Sequence, residues 1–164
     1  MHEIDISNQI NNSWNKDTVI AMVNNISPFS IKLRSDIKSK IKANFISGDK
    51  SHDSNIILFV YAYMLCKCLI LKSVHEVIIC RDHRPTDKVY RYIQKISPQL
   101  GVDIVSRTRI SFRKSKIVNG KKIKTPESKA DRHARAVFQN KKRADYVITS
   151  TDYEKLEELI KKLL

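Results

Sequence analysis

Three aspartates follow predicted strands or begin a predicted helix, where their carboxylates are available for chemistry. Asp82 follows the apolar strand expected at 77–80, and Asp152 follows the strand expected at 146–148. Asp131 lies near the start of the helix that follows a strongly basic segment. Ligands in a parallel α/β sheet gather beyond the carboxyl ends of the strands, so we expect these carboxylates to converge on one rim. Such a group of carboxylates binds Mg²⁺ or Mn²⁺.

We expect Asp82 and Asp131 to be the catalytic carboxylates of a site that cleaves phosphodiesters. Metals in such sites orient the attacking water and stabilise the leaving oxygen. Asn24 and Asp152 are the further candidate metal ligands. Structural roles compete with these assignments, because Asp82 also suits a helix cap or an ion pair with a neighbouring arginine, and the position of Asp152 favours the N-cap of the last helix. Asp131 is harder to explain structurally, since Glu127 is the only other acid within the basic segment.

The glycine content excludes two large classes of nucleotide-cofactor enzyme. The 164-residue chain has only three glycines, Gly48, Gly101 and Gly120. Neither a P-loop nor a GxGxxG loop can be built from glycines so far apart. The length is typical of one domain, and the apolar runs are dense enough for a packed core.

The cysteines and the apolar run 56–71 both indicate a buried interior. Cys66, Cys68 and Cys80 are an odd number in apolar surroundings, as expected of free thiols in a reducing compartment. The apolar run is 16 residues long and contains Lys67, whereas a membrane span needs about 20 residues. We therefore expect a core helix, no membrane partner and a cytoplasmic protein.

Positive charge is concentrated in one part of the chain. Lys and Arg number 31 against 17 Asp and Glu, and 14 of the basic residues lie within 107–143 beside only two acids. Like charges at this density repel one another, and a polyphosphate backbone is the natural partner that neutralises them. We therefore expect binding to nucleic acid, either DNA or RNA, with an acidic protein partner as the alternative. The candidate nucleic-acid-binding residues are Arg107, Arg109, Arg113, Lys114, Lys116, Lys121, Lys122, Lys124, Lys129, Arg132 and Arg135.

The pattern of elements predicts a single α/β domain. Its mixed sheet has an N-terminal antiparallel hairpin and parallel strands flanked by helices. Residues 1–17 are expected to be a polar lead-in, and 107–125 a basic insertion whose Asn119-Gly120 favours a type I′ turn. The predicted strands are 18–23, one or two within 30–41, 76–81, 102–105, 110–125 as a hairpin, and 144–149. The predicted helices begin near 51, 84, 126 and 152.

This order of elements resembles the ribonuclease H-like superfamily of nucleases, resolvases and integrases. The resemblance covers 18–142 at the level of topology. In that family, carboxylates at the end of the fourth strand and on a late helix share two metals, and Asp82 and Asp131 occupy the corresponding places. The family also has an aspartate on the first strand, expected here near 21–25, where the sequence has Asn24 and Asn25. Asparagine can coordinate a metal but brings no charge.

A second, local resemblance involves about the last 40 residues. Lys129-Ala130-Asp131, followed by Asp145-Tyr146 and by Thr149 to Asp152, is similar to the end of PIN and NYN ribonucleases. In those enzymes a helix aspartate precedes a strand that closes in a Ser/Thr-rich turn with an aspartate. Both resemblances imply the same chemistry, but they differ in topology.

Three functions remain open from the sequence. The chain is expected to be a metal-dependent nuclease, a non-catalytic nucleic-acid-binding module with an incomplete metal site, or an interaction protein whose basic hairpin docks an acidic partner. The missing first-strand aspartate favours the binding module. The cost of clustering several acids without a metal favours the enzyme.

Overall fold

In a computed structural model, the structure describes residues 1–24, 26–114, 117–123 and 127–164. The strands are β1 (His2–Ser7), β2 (Thr18–Val23), β3 (Pro28–Leu33), β4 (Glu76–Ile79), β5 (Arg109–Phe112), β6 (Ile117–Val118), β7 (Lys121–Lys122) and β8 (Tyr146–Val147). The helices are α1 (Ser35–Phe45), α2 (Lys50–Leu71), α3 (Thr86–Gln99), α4 (Ile104–Arg107), α5 (Lys129–Phe138) and α6 (Ser150–Leu163).

Six strands form one mixed sheet in the order β5-β4-β1-β2-β3-β8. β1, β2 and β3 pair antiparallel, as consecutive strands joined by short connections do. β4 pairs parallel with β1, β5 with β4, and β8 with β3. The prediction of an α/β protein with a mixed sheet flanked by helices is therefore confirmed.

The two faces of the sheet are covered by different helices. Along β2, Ile20 and Met22 join the large core that contains α2 and α3, whereas Val19 and Ala21 pack against α5. This alternation follows from the two-residue period of a strand. α2 is long and apolar enough to span a membrane, but 67% of its most apolar window is buried. Such burial is expected of a core helix.

Two expectations for the N-terminal part are wrong. Residues 1–17 contain β1, so the sheet begins sixteen positions earlier than predicted. The stretch from Ser35 forms α1, because Ile37 and Ile41 are four residues apart and share one buried helix face. The spacing of these isoleucines indicates a helix rather than the expected strand.

The strand expected at 102–105 is also wrong. Asp103 accepts a hydrogen bond from the Ser106 N–H and caps the short helix α4, and β5 begins only at Arg109. The predicted hairpin is smaller than expected, since β5 belongs to the main sheet and only β6 and β7 form a separate ribbon. Its turn has Asn119 at φ 53° and Gly120 at φ 75°, as a type I′ turn requires.

Candidate metal centre

The first strand carries an aspartate that the sequence analysis does not single out. Asp5 lies on β1 between β2 and β4, and it is only 6% exposed. Ile4 and Ile6 point into the core around α2, so alternation places Asp5 on the face that α5 covers. Ala21 stands opposite Asp5 in the register and packs against α5. The carboxylate is thus held in the space between the sheet and α5.

Asp82 follows β4, where the sequence analysis expects it, and it approaches Asp5. A carboxylate oxygen of each aspartate and the Cys80 sulfur lie within 4.8 Å of one another. Burial, and then the negative charge of Asp5, raise the pKa of Asp82. Asp82 remains open to solvent. The two carboxylates therefore repel each other in a place that a cation can reach.

Ser128 joins the backbone of Asp131, at the start of α5, to Asp5. The Ser128 hydroxyl accepts a hydrogen bond from the Asp131 N–H at 2.9 Å, as an N-cap does. The same hydroxyl donates to Oδ2 of Asp5 at 2.8 Å. Burial, and then the charge of Asp5, raise the pKa of Asp131. One serine thus ties the helix aspartate to the strand aspartate, and Asp5 acts electrostatically on both of its partners.

Two arginines flank these carboxylates. Arg113, just beyond β5, approaches Oδ2 of Asp5 at 3.6 Å and Glu3 at 3.5 Å. Arg135 pairs with Asp131 at 3.1 Å and with Glu127 at 2.8 Å. They offset part of the negative charge, but the pKa values of Asp82 and Asp131 remain raised.

The donor set favours a hard divalent metal over a soft one. Burial raises the pKa of the Cys80 thiol, and the Tyr61 hydroxyl lies 3.3 Å from its sulfur. In the metal-free protein Cys80 is therefore a protonated core thiol rather than a thiolate. The other donors of the cluster are carboxylate oxygens of Asp5 and Asp82, which suit Mg²⁺, Mn²⁺ or Ca²⁺.

His83, next to Asp82, is a core residue. It is 4% exposed, and its ring packs against Tyr61 with 4.5 Å between the centroids. Burial, and then the charge of Lys38, lower the pKa of His83 to about 4. The imidazole is thus neutral at physiological pH and does not add positive charge to the site.

Asn24 does not join the carboxylate group, which corrects the expectation that it is a metal ligand. Its Oδ1 accepts hydrogen bonds from the N–H groups of Ile26 and Ser27, and its Nδ2 lies 2.9 Å from a ring nitrogen of His2. Asp5 lies three residues further along β1, which is about 10 Å at the rise of a strand. The expectation was wrong because the first strand is β1, not the strand at 18–23.

Asp152 belongs to a different cluster at the start of α6, where the N-cap is Thr149 and not, as predicted, Asp152. It forms a capping box with Thr149 at the start of α6 and an ion pair with Lys67 at 3.0 Å. The Tyr146 hydroxyl also donates to it, at 2.6 Å. β8 and β4 are separated by three strands, about 19 Å across the sheet. Asp152 is therefore corrected from a metal ligand to a structural residue.

The basic residues predicted to bind nucleic acid are spread over several places. Arg107 and Arg109 lie at the start of β5, at the opposite end of the strand from Arg113. The Arg107 side chain donates to the Leu69 carbonyl at 3.0 Å. Lys114 is exposed just beyond Arg113. Arg107 and Arg109 are thus separated from the carboxylates by the length of the strand.

The other predicted binding residues lie closer to the carboxylates or on the ribbon. Lys129 and Arg132 are exposed on α5, on either side of Asp131 in the sequence. Lys121 and Lys122 are exposed on β7. Arg113 and Arg135 make the ion pairs described above, and Lys116 and Lys124 lie outside the described residues.

In comparisons with family models, curated proteins and solved structures, nothing matches this chain. The function therefore has to be inferred from the chemistry of the site. Its defining feature is the approach of Asp5, on a strand centre, to Asp82, after a strand end, with Asp131 on the adjoining start of α5.

Proposed function

We propose that this protein is a divalent-metal-dependent nuclease of the ribonuclease H-like type. The observation that carries the proposal is the approach of the Asp5 and Asp82 carboxylates to within 4.8 Å, with the backbone of Asp131 joined to Asp5 through Ser128. Two carboxylates at a solvent-accessible edge, with a third on the adjoining start of α5, are a suitable ligand set for Mg²⁺ or Mn²⁺. Bound there, such ions would stabilise the charge that develops on a phosphodiester during cleavage.

The positions of these carboxylates along the chain support that family assignment. The resemblance implies an aspartate on the first strand, a carboxylate at the end of the fourth strand and another on a late helix. Asp5 lies on β1, Asp82 follows β4, and Asp131 lies on α5. The first-strand aspartate, which the sequence analysis places at Asn24, thus has a counterpart in Asp5.

The surroundings of Asp152 disfavour a PIN or NYN ribonuclease. That resemblance requires an aspartate in the Ser/Thr-rich turn after the last strand, which is Asp152. Its Oδ2 accepts hydrogen bonds from the Thr149 N–H, the Thr149 hydroxyl and the Tyr146 hydroxyl, and its Oδ1 pairs with Lys67. A carboxylate engaged in this way is a structural group.

A specific observation also supports the second candidate, a binding module without catalysis. Oδ2 of Asp5 already accepts a hydrogen bond from Ser128 and lies near Arg113. A cation that uses this oxygen competes with the arginine, which weakens metal binding. The two candidates share the nucleic-acid partner and differ only in whether a metal reaches Asp5.

Metal-dependent cleavage tests the proposal. Wild type, Asp82→Asn and Asp131→Asn are incubated with labelled single-stranded, duplex and hybrid substrates in Mn²⁺ or EDTA. We expect wild type to cleave in Mn²⁺ and not in EDTA. We expect neither variant to cleave. Cleavage that survives in the Asp82→Asn/Asp131→Asn double variant would overturn the assignment of the site. Salt-sensitive binding by wild type without cleavage would favour the binding module.

The salt dependence of binding tests the nucleic-acid partner separately. Lys121 and Lys122 are exposed on the ribbon, so Lys121→Ala/Lys122→Ala removes two candidate phosphate-binding cations without touching the core. On duplex DNA, the slope of log K against log salt should become shallower by about 0.9 for each phosphate that is no longer neutralised. A slope near zero in the wild type would exclude a polyphosphate partner.

A further inference from the structure

A cleft of about 350 Å³ lies between α5 and the adjoining ends of β2 and β3. One wall is a single stripe of α5, formed by Lys129, Arg132, His133 and Ala136. These residues are three, four and seven positions apart, so they share one face of the helix. We call this space the α5 cleft.

The opposite wall of the α5 cleft is apolar. Val23 and Pro28 are paired across the β2–β3 hairpin and close this side. Lys142, which follows α5, completes the rim. The cleft thus combines apolar walls, to which Ala136 also contributes, with positive charges around its opening.

The cations of the α5 cleft lack carboxylate partners within the described part of the chain. No ion pair within 4.0 Å involves Lys129, Arg132 or Lys142 there, whereas Arg135 on the same helix pairs with two acids. Asp145 acts electrostatically on His133, but its Oδ2 accepts hydrogen bonds from Ser30. Three unpaired positive charges around one cleft favour an anionic ligand.

The apolar walls indicate what the anion is attached to. A lone phosphate gains nothing from contact with Val23, Pro28 and Ala136, but a nucleobase or a sugar does. The volume is at the lower end of the range for ligand pockets, about 300–1,000 Å³, which suits one nucleotide. Duplex DNA keeps its bases stacked, so a base can enter only from an unpaired strand.

We infer that the α5 cleft binds one nucleotide of a single-stranded nucleic acid. Its phosphate lies against Lys129, Arg132 and Lys142, and its base or sugar lies against Val23 and Ala136. This inference rests on the proposed function and adds a substrate class to it. Because Asp131 lies on the same helix as the cleft residues, the bound strand runs along α5 to the carboxylate group.

A second basic cleft continues this path away from the carboxylates. Its volume is about 620 Å³, and it shares Lys142 with the α5 cleft. Lys141, Arg143 and Arg34 also line it, together with Lys32 and its ion-pair partner Asp17. Further phosphates of the same strand therefore meet positive charge beyond the α5 cleft.

Binding without metal tests the inference independently of catalysis. We measure the affinity of fluorescein-labelled oligothymidylate in EDTA over a range of salt concentrations, for wild type and Arg132→Ala/Lys142→Ala. On a single strand the slope should become shallower by about 0.7 for each of the two cations removed, so affinity near 0.1 M salt should fall by about 25-fold. The control, Lys42→Ala/Lys95→Ala, removes two exposed lysines from α1 and α3 and should leave the slope unchanged.

A cleft-filling variant tests the apolar walls. Ala136→Phe places a ring where the base would lie, while the cations remain. Wild type should bind oligothymidylate about tenfold more tightly than an abasic strand of equal length, because a base buries apolar surface against the walls of the cleft. Ala136→Phe should remove most of that preference, and circular dichroism checks that the variant folds.

The outcomes separate this inference from the proposed function. Equal slopes in cleft and control variants, or no binding of oligothymidylate by wild type, would overturn the inference even if the protein cleaves duplexes. A preserved base preference in folded Ala136→Phe would overturn it as well. Absence of cleavage together with the expected slopes would leave the cleft in place and count against the nuclease alone.

Discussion

Asp82 and Asp152 each follow a parallel strand, yet their surroundings differ. Asp152 receives hydrogen bonds from the Thr149 N–H, the Thr149 hydroxyl and the Tyr146 hydroxyl, and it pairs with Lys67. Burial alone would raise its pKa, but these donors hold the pKa of Asp152 below its ordinary value. The cluster around Asp152 therefore stabilises the ionised carboxylate.

The surroundings of Asp5 destabilise ionised carboxylates instead of stabilising them. Asp82 and Asp131 both have raised pKa values, caused by burial and then by the charge of Asp5. Arg113 and Arg135 do not bring them back to ordinary values. The sequence position of a carboxylate therefore does not reveal its role. The balance between its hydrogen-bond donors and the like charges around it does. The excess negative charge is what a divalent cation would neutralise.

The largest expected difference between the two clusters is in catalysis. Asp5→Asn should lower Mn²⁺-dependent cleavage by about a thousandfold or more, because the metal supplies several kcal/mol of transition-state stabilisation. The amide keeps one acceptor, for the Ile6 N–H, and presents an NH₂ group to Ser128 in place of Oδ2, so circular dichroism first checks that the variant folds. Asp152→Asn should cleave within about threefold of wild type at a temperature where it is folded. Equal losses of cleavage in the two variants would mean that the two clusters do not differ in catalysis.

In the free energy of unfolding, measured in EDTA near pH 7, the larger loss should occur in the Asp152 variant. Asp152→Asn leaves the half-buried Lys67 without its counter-charge, and we expect a loss of about 2–4 kcal/mol in the free energy of unfolding. Asp82→Asn removes a repelled charge and should change stability by less than about 1 kcal/mol, or increase it. Urea unfolding of both variants and wild type measures this. A large loss in Asp82→Asn would assign that residue a structural role.

The pH dependence of stability should have opposite signs at the two places. A lowered pKa means that Asp152 contributes stability above its ordinary pKa of 3.8, and that this contribution disappears as the pH falls through the folded value. A raised pKa means that ionising Asp82 costs stability as the pH rises from 3.8 through the folded value. From about pH 4 to about pH 7, Asp82→Asn should therefore gain stability relative to wild type. Thermal unfolding in EDTA at several pH values shows whether the trend has this sign.

The smallest expected effect concerns the arginine that neutralises Asp5. Arg113→Gln should strengthen Mn²⁺ binding by about two- to fivefold, because a partly exposed ion pair contributes at most about 1 kcal/mol. Calorimetry in the absence of nucleic acid measures the change, with Arg91→Gln, from an exposed pair on α3, as the control. Weaker metal binding in Arg113→Gln would mean that the arginine supports the site instead of competing for Asp5.

The sequence predicts the elements marked by apolar runs or caps better than those in polar stretches. α2, β4 and α6 form near their expected positions because apolar runs and caps mark them. β1 is only six residues long and lies in a polar stretch, so it owes its burial to the neighbouring strands. The alternation Ile4-Asp5-Ile6 was the available signal, and it was too short to identify a strand by itself.

Only part of the candidate site was predictable from the sequence. Asp82 and Asp131 were identified because they follow a strand or begin a helix, which is local information. Asp5 could not be identified without the pairing of β1 with β4, and that pairing joins residues more than seventy positions apart. The assignment of Asp152 failed as a metal ligand because the Lys67 ion pair is equally remote in the sequence.

Isothermal titration of Mn²⁺ into the metal-free protein tests the central claim most directly. The claim is that Asp5, Asp82 and Asp131 together hold a divalent cation, while Asp152 does not take part. Wild type and Asp152→Asn should bind Mn²⁺ with similar affinity and stoichiometry, and Asp5→Asn should show no binding at the same concentrations. Undiminished binding in folded Asp5→Asn, or no binding in wild type, would contradict the account.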